Sequence, residues 1–195
     1  MGWTSSYRPS TQSVKDYLIE EINENGKTAT FKVLDIAIFK RNTAYLAVKR
    51  TCIDTGKSEV FAIVMLIRNG RGHFNITIKE MSEDMGPFYY DCPARILDLL
   101  TPTENAEAVM WRERCRANLA NRESLKKDLA TAKQGDVFKF SSPVQFTKGT
   151  FDKMTFHHGE KQRHVFMVGP FAMYATFDQL MSMKLQYGFE VTSND

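Results

Sequence analysis

The stretch EVFAIVMLIRNGRGHFNITIKE, residues 59–80, decides the fold that the sequence predicts. Its first nine residues are almost all apolar, which is typical of a central strand covered on both faces. From His73 to Glu80, apolar and polar residues alternate, and this pattern indicates a strand with one buried face. The intervening RNGRG carries the Asn and Gly residues of a tight turn, so we expect the two strands to pair antiparallel.

Two further strand candidates and a helix precede this pair. The segments TATFKVLDIAIF (28–39) and AYLAVKRTCI (44–53) end at the short turns KRNT and DTGKS. Short turns favour an antiparallel meander, so we predict a four-stranded antiparallel sheet over residues 28–80. Before it, SVKDYLIEEINENG has apolar residues at helical spacing, with Ser13 as a capping residue and Gly26 as a stop. It predicts an N-terminal helix at 13–25.

Two capped helices are predicted to follow the sheet. In DCPARILDLL, Pro93 suits the first helical position, and in TPTE the chain restarts with Thr101 as the cap and Pro102 next. The predicted helices, 92–100 and 102–121, form a helical hairpin against the sheet. Their caps and apolar stripes account for residues 86–116 without any chemistry.

The sequence pattern changes after Gly135. Short strand-like runs (DVFKF, VQFTK, KMTFHH, RHVFMV) alternate with turn residues, and ATFDQLMSMKLQYG predicts a short helix before a last strand, FEVTS. We predict a small β-rich, barrel-like domain at 133–195, after an α+β domain at 1–132. The predicted fold class is therefore α+β.

Composition narrows the classes of protein that fit. The net charge is +3, which argues against an acidic DNA mimic and is well short of a dedicated nucleic-acid carrier. The three cysteines form no disulfide framework, which favours a reducing cytoplasm. The longest apolar run, VFAIVMLI, is too short to span a bilayer, so we expect no membrane partner.

The sequence contains few groups with the spacing that catalysis or metal binding needs. Asp91 and Cys92 at a helix start suggest a thiolate nucleophile activated by Arg112 or Arg116, but no histidine lies nearby in the sequence to act as a base. A cysteine-dependent enzyme is therefore the third hypothesis, behind two kinds of binding protein. We predict no catalytic residue.

Histidines and carboxylates do not change this view. The four histidines and three cysteines lack paired zinc-ligand spacing. A hairpin could bring His157 and His164 opposite each other, but solvated hairpin histidines are the favoured interpretation. Glu80, Glu83 and Asp84 are expected in a solvated turn. We therefore predict no metal and no cofactor, and we expect that the protein is not an enzyme.

Two surfaces emerge as binding candidates. The aromatic lead-in PFYYDCP suggests an exposed ridge for a protein partner, and its candidate residues are Phe88, Tyr89, Tyr90, Asp91 and Trp111. A basic helix face, diluted by acids, is a candidate for nucleic acid, and it comprises Arg112, Arg114, Arg116, Arg122, Lys126 and Lys127.

The sequence also resembles an uncharacterised family of proteins from phages, prophages and conjugative elements, mostly of Gram-positive gut bacteria. The family has a GWTSY-like start, a D-M-x-E-x-x-G-P strand end, DCP, I-L-x-L-L-[ST]-P-T and W-R-x-x-C. The matching residues are Gly2, Trp3, Thr4, Ser5, Met81, Glu83, Gly86, Pro87, Asp91, Cys92, Pro93, Ile96, Leu97, Leu99, Leu100, Thr101, Pro102, Thr103, Trp111, Arg112 and Cys115. The resemblance covers residues 1–125. The chain departs from the family after MGWTSS and lacks the family's Trp-rich ending.

The resemblance implies a context rather than an activity: an accessory protein of a mobile genetic element in a bacterial cytoplasm. Small proteins of this kind often bind host machinery, so the hypothesis is an inhibitor of a host defence complex, such as a CRISPR or restriction nuclease. Its expected partner is a defence protein or ribonucleoprotein. The alternative is a nucleic-acid-binding accessory protein, and the oligomeric state stays open.

Overall fold

A computed structural model describes residues 2–39, 42–70, 73–160 and 162–193. The chain forms two compact units, residues 1–117 and residues 118–195. The division falls inside a long helix, whereas the boundary predicted from the sequence lies just beyond the end of that helix, between 132 and 133.

The first unit contains a six-stranded antiparallel sheet with the spatial order β1-β6-β5-β4-β3-β2. Its strands are β1 (Thr4–Ser6), β2 (Glu24–Asn25), β3 (Ala29–Phe39), β4 (Thr43–Cys52), β5 (Ser58–Asn69) and β6 (Ile76–Ser82). Its helical elements are α1 (Val14–Ile22), a 3₁₀ turn (Glu83–Met85), α2 (Ala94–Leu97) and the first part of α3 (Ala106–Thr131).

Strand β5 is buried on both faces, as its apolar run predicts. Ile63 and Met65 lie on one face, in a core that α1 completes with Leu18. Ala62 and Val64 alternate with them and are also fully buried. Alternate residues of a strand point to opposite sides, so burial of all four requires cover on both faces of the sheet.

The second unit contains a five-stranded antiparallel sheet with the order β10-β9-β8-β7-β11. Its strands are β7 (Val137–Phe146), β8 (Gly149–Gly159), β9 (His164–Val168), β10 (Phe171–Ala175) and β11 (Phe189–Thr192), and the helix α4 spans Phe177–Tyr187. A capping box between Thr176 and Gln179 begins α4. The core is rich in phenylalanine and includes Leu125 of α3.

The predicted fold class is wrong. The described residues are 43% strand and 28% helix, in two antiparallel sheets of six and five strands. The first sheet has six strands because β1 and β2 pair with β6 and β3 at its two edges. Strands of three and two residues are too short to show a period, so only long-range pairing reveals them.

The helical hairpin is also absent. α2 is a single turn, and α3 begins at Ala106, where the Asn105 side chain accepts a hydrogen bond from the Ala108 N–H at 3.0 Å. Thr101, the predicted cap, instead exchanges hydrogen bonds with Val60 of β5: its hydroxyl accepts from the Val60 N–H at 3.0 Å, and its own N–H donates to the Val60 carbonyl at 3.0 Å. Competition from this strand moves the helix start downstream.

The C-terminal unit is not a barrel. Its sheet is open, because β10 and β11 each have a neighbour on one side only. The runs KMTFHH and RHVFMV, the short helix and the last strand lie where the sequence placed them, but DVFKF and VQFTK form the single strand β7, and β10 was not predicted. A barrel requires β10 and β11 to pair with each other, and this pairing is not among the strand pairings of the described residues.

Candidate partner-binding surface

The aromatic segment begins at a turn that needs glycine. The 3₁₀ turn Glu83–Met85 ends at Gly86, whose φ of 57° lies in the left-handed region and whose N–H donates to the Glu83 carbonyl at 3.2 Å. A Cβ atom at Gly86 would lie 2.9 Å from a carboxylate oxygen of Glu107. Glycine adopts this left-handed conformation without the steric cost that a side chain would add.

Phe88, Tyr89 and Tyr90 form what we call the aromatic ridge. The side chain of Phe88 is 86% exposed and that of Tyr89 is 42% exposed. Tyr90 is half-buried, and its hydroxyl accepts a hydrogen bond from Arg114 Nη1 at 2.7 Å. The Arg114 guanidinium also lies 5.4 Å from the centre of the Tyr90 ring, within cation–π range.

Trp111 supports the ridge from the protein interior and is not itself on the surface. Its side chain is 1% exposed, and its indole N–H donates to the Tyr89 carbonyl at 3.0 Å. Asp91 is exposed, and its backbone is hydrogen-bonded to the buried Tyr45 hydroxyl. Tyr89, Tyr90 and the adjacent Asp91 are therefore held by partners far away in the sequence, while the Phe88 ring points into solvent.

Glu83 and Arg112 form a buried ion pair behind the ridge. Arg112 Nε lies 2.8 Å from Glu83 Oε2 and Nη2 lies 2.6 Å from Oε1, while Nη1 donates to the Thr101 carbonyl at 2.6 Å. The Arg112 side chain is 10% exposed and the Glu83 side chain is 3% exposed. Neither residue lies where the sequence placed it. Glu83 is buried rather than in a solvated turn, and Arg112 cannot contact nucleic acid unless this ion pair is broken.

The remaining cations of the predicted nucleic-acid face are largely engaged within the chain. Arg114 bonds Tyr90, Arg122 lies over the Phe177 ring at 5.3 Å, and Lys126 pairs with Glu123 at 2.8 Å. Arg116 and Lys127 are exposed. Arg114 and Arg116 belong to the first unit, and Arg122, Lys126 and Lys127 belong to the second. The α3 face thus offers less cationic surface than its sequence indicates.

The two cysteines near the ridge are poor nucleophiles. Cys92 and Cys115 are fully buried. Burial raises the pKa of the Cys92 thiol far above its usual range and raises the pKa of Cys115 to about 12. At Cys52, hydrogen bonds from Thr55 lower the thiol pKa. A thiolate at Cys92, which the cysteine-enzyme hypothesis needs, is therefore disfavoured.

This difference predicts the pattern of cysteine alkylation. With iodoacetamide at pH 8, we expect Cys52 to be modified first, because the thiolate is the reactive form and its fraction rises as the pKa falls. Cys92 and Cys115 are expected to react only after denaturation. Peptide mapping by mass spectrometry, with a urea-treated sample as the control, measures all three. Rapid modification of native Cys92 would restore the enzyme hypothesis.

His157 and His164, which a hairpin could have placed opposite each other, do not pair. A bulge at His157 places His158 opposite Val165 and Gly159 opposite His164. His157 instead approaches His158, with 2.6 Å between their Nδ1 atoms. Within residues 2–39, 42–70, 73–160 and 162–193, no three His, Cys, Asp or Glu side chains are grouped to hold a metal ion. Nor does any helix in these ranges have the length and apolar character to cross a membrane.

Comparison with known proteins gives one similarity. Residues 102–170 match the family described as Domain of unknown function (DUF6927), a segment that contains α3 and the strands β7 to β9. This match covers less than half of the chain and is a similarity only. No curated protein and no solved structure matches the chain.

Proposed function

We propose that this protein is a non-enzymatic binding protein of a phage or other mobile element, which attaches to a host defence complex in the bacterial cytoplasm through the aromatic ridge. One observation carries the proposal: Phe88 is 86% exposed on a backbone that its neighbours hold in place. The mobile-element context comes from the family resemblance described above. The partner class, a CRISPR or restriction nuclease, rests on that context.

The energetics of the ridge favour binding. Burial of a phenylalanine side chain stabilises a complex by about 1.5–3 kcal/mol, and aromatic residues are enriched among the few that dominate an interface. Ordering a flexible loop normally reduces affinity. Here the bonds of Trp111 to Tyr89 and of Arg114 to Tyr90 already hold the loop, so little of that loss remains.

The proposal is tested by inhibition of purified defence nucleases. Increasing amounts of the full chain are added to a panel of CRISPR nucleases and restriction endonucleases from Gram-positive gut bacteria, each with its DNA substrate. We expect cleavage by one of them to fall in proportion to added protein and to stop near equimolar amounts, because a binding protein does not turn over. Undiminished cleavage across the panel at a large excess would reject this partner class.

The ridge itself is tested by Phe88→Ala. We expect this change to weaken binding to the inhibited nuclease by about tenfold or more, with no change in thermal stability, since the ring makes its contacts only in the complex. Phe74→Ala is the matched control, because Phe74 is a half-exposed phenylalanine of the same unit. Surface plasmon resonance measures both variants. Equal affinities for the two would exclude the ridge as the contact surface.

A further inference from the structure

A second candidate site lies at the opposite end of the first unit's sequence. A cavity of about 410 Å³ opens where the N-terminal arm (residues 2–12), the start of α1 and the end of β5 come together. Three cations line it, Arg8, Lys15 and Arg68, with the carboxamides of Asn69 and Asn75 and an aliphatic floor. Its lining contains no acidic side chain. We call this cavity the basic pocket.

The three cations lack ionic partners among the described residues. The ion pairs described for residues 2–39, 42–70, 73–160 and 162–193 include none of Arg8, Lys15 and Arg68. The Arg8 guanidinium donates to the carbonyls of Pro9 and Gln12, and the Arg68 guanidinium lies 4.0 Å from the centre of the Trp3 ring. Like charges that converge without a counter-charge favour a bound anion.

The fold builds this pocket in advance. β1 pairs with β6, and Asn75, immediately before β6, clamps the arm at Arg8. The Asn75 side-chain oxygen accepts from the Arg8 N–H at 2.7 Å, and its amide nitrogen donates to the Arg8 carbonyl at 2.6 Å. A cation from the arm, one from α1 and one from β5 are thereby brought to one cavity from distant parts of the sequence.

We infer that the basic pocket binds a phosphate group of a single-stranded nucleic acid. Guanidinium and ammonium groups with carboxamide donors suit phosphate oxygens. Two exposed aromatic rings lie on the same arm: Tyr7 is 64% exposed and Trp3 is 37% exposed. Cations interleaved with aromatic rings are the combination that binds a phosphate backbone while bases stack beside it. An acidic peptide would use the cations and leave the rings unexplained.

Fluorescence anisotropy with labelled single-stranded oligonucleotides of DNA and RNA tests the inference on the full chain. We expect affinity to fall with salt, with a slope of log K against log salt of about −0.7, because the pocket neutralises one phosphate of a single strand. Quenching of tryptophan fluorescence on binding, lost in Trp3→Phe, places the strand beside the arm. No binding at low salt would overturn the inference.

Matched triple variants locate the contact. The pocket variant carries Arg8→Gln, Lys15→Gln and Arg68→Gln. The control carries Arg116→Gln, Lys126→Gln and Lys127→Gln, which removes the same charge from α3. We expect about a tenfold or larger loss of affinity for the pocket variant and less than about threefold for the control. If the pocket variant fails to fold, Lys15→Gln alone is expected to lower affinity by about threefold, with unchanged affinity overturning the inference.

Two further outcomes decide against the inference. If the α3 control loses oligonucleotide binding and the pocket variant does not, the nucleic acid binds to the α3 face instead of the basic pocket. Displacement of the oligonucleotide by a polyglutamate peptide as readily as by unlabelled oligonucleotide shows a general anion site. The inference goes beyond the proposed function. Phe88→Ala is expected to leave oligonucleotide binding unchanged, so a failure of the proposed function and a failure of this inference give different results.

Discussion

Arg112→Ala is expected to lower the free energy of unfolding of the first unit by about 3–5 kcal/mol, because it leaves the buried Glu83 carboxylate without its counter-charge. That carboxylate is 3% exposed and receives two hydrogen bonds from the Arg112 guanidinium. The Thr101 carbonyl loses a donor as well. The loss measures the uncompensated charge left behind rather than the net worth of the pair.

Urea denaturation followed by tryptophan fluorescence measures this loss, since both tryptophans, Trp3 and Trp111, lie in residues 1–117. Arg50→Ala is the control, because Arg50 forms an ion pair with Glu59 at 3.3 Å in which both side chains are more than half exposed. An exposed pair contributes under about 1 kcal/mol. Similar losses at Arg112 and Arg50 would contradict the burial argument.

Phe138→Ala is expected to lower the free energy of unfolding of the second unit by about 3–5 kcal/mol, through lost burial and the cavity left behind. Phe138 is fully buried at the centre of the phenylalanine core. Its ring centre lies 5.1 Å from that of Phe166 in an edge-to-face contact and 5.7 Å from that of Phe189. Alanine removes all of these ring contacts at once.

Hydrogen exchange read by mass spectrometry is suited to this variant, because it reports on peptides of residues 118–195 directly. We expect faster exchange in β7, β8 and β9 under native conditions. Phe88→Ala is the companion variant, and its stability is expected to stay within about 0.5 kcal/mol of the parent, as for most surface changes. A small loss at Phe138 would mean that the core collapses around the missing ring.

Both proposed surfaces lie outside the segment that matches a known family. The aromatic ridge and the basic pocket use residues before 102, whereas the match covers 102–170. The residues that hold the ridge in place, Trp111 and Arg114, do fall within the match. The family match therefore includes the residues that support the ridge but not its exposed rings.

Local patterns were sufficient for several elements. The buried run of β5, the alternation in β6 and the helix at Val14–Ile22 were all predicted from residues that are neighbours in the sequence, although β6 begins at Ile76 rather than at His73. The Ser13 cap is an example: its hydroxyl accepts from the Asp16 N–H at 3.1 Å, three residues away. Phe88, which the sequence suggested as part of an exposed ridge, is indeed exposed.

The sequence by itself therefore determined the long strands β3 to β6, the helices α1 and α4, the last strand, and which run is buried on both faces. Tertiary structure decided the rest: that the arm becomes β1, that Thr101 bonds Val60 instead of capping a helix, that Arg112 is buried with Glu83, and that Arg8 and Arg68 share a cavity. The physical reason is distance along the chain. These partners are tens of residues apart, so no local period records their contact.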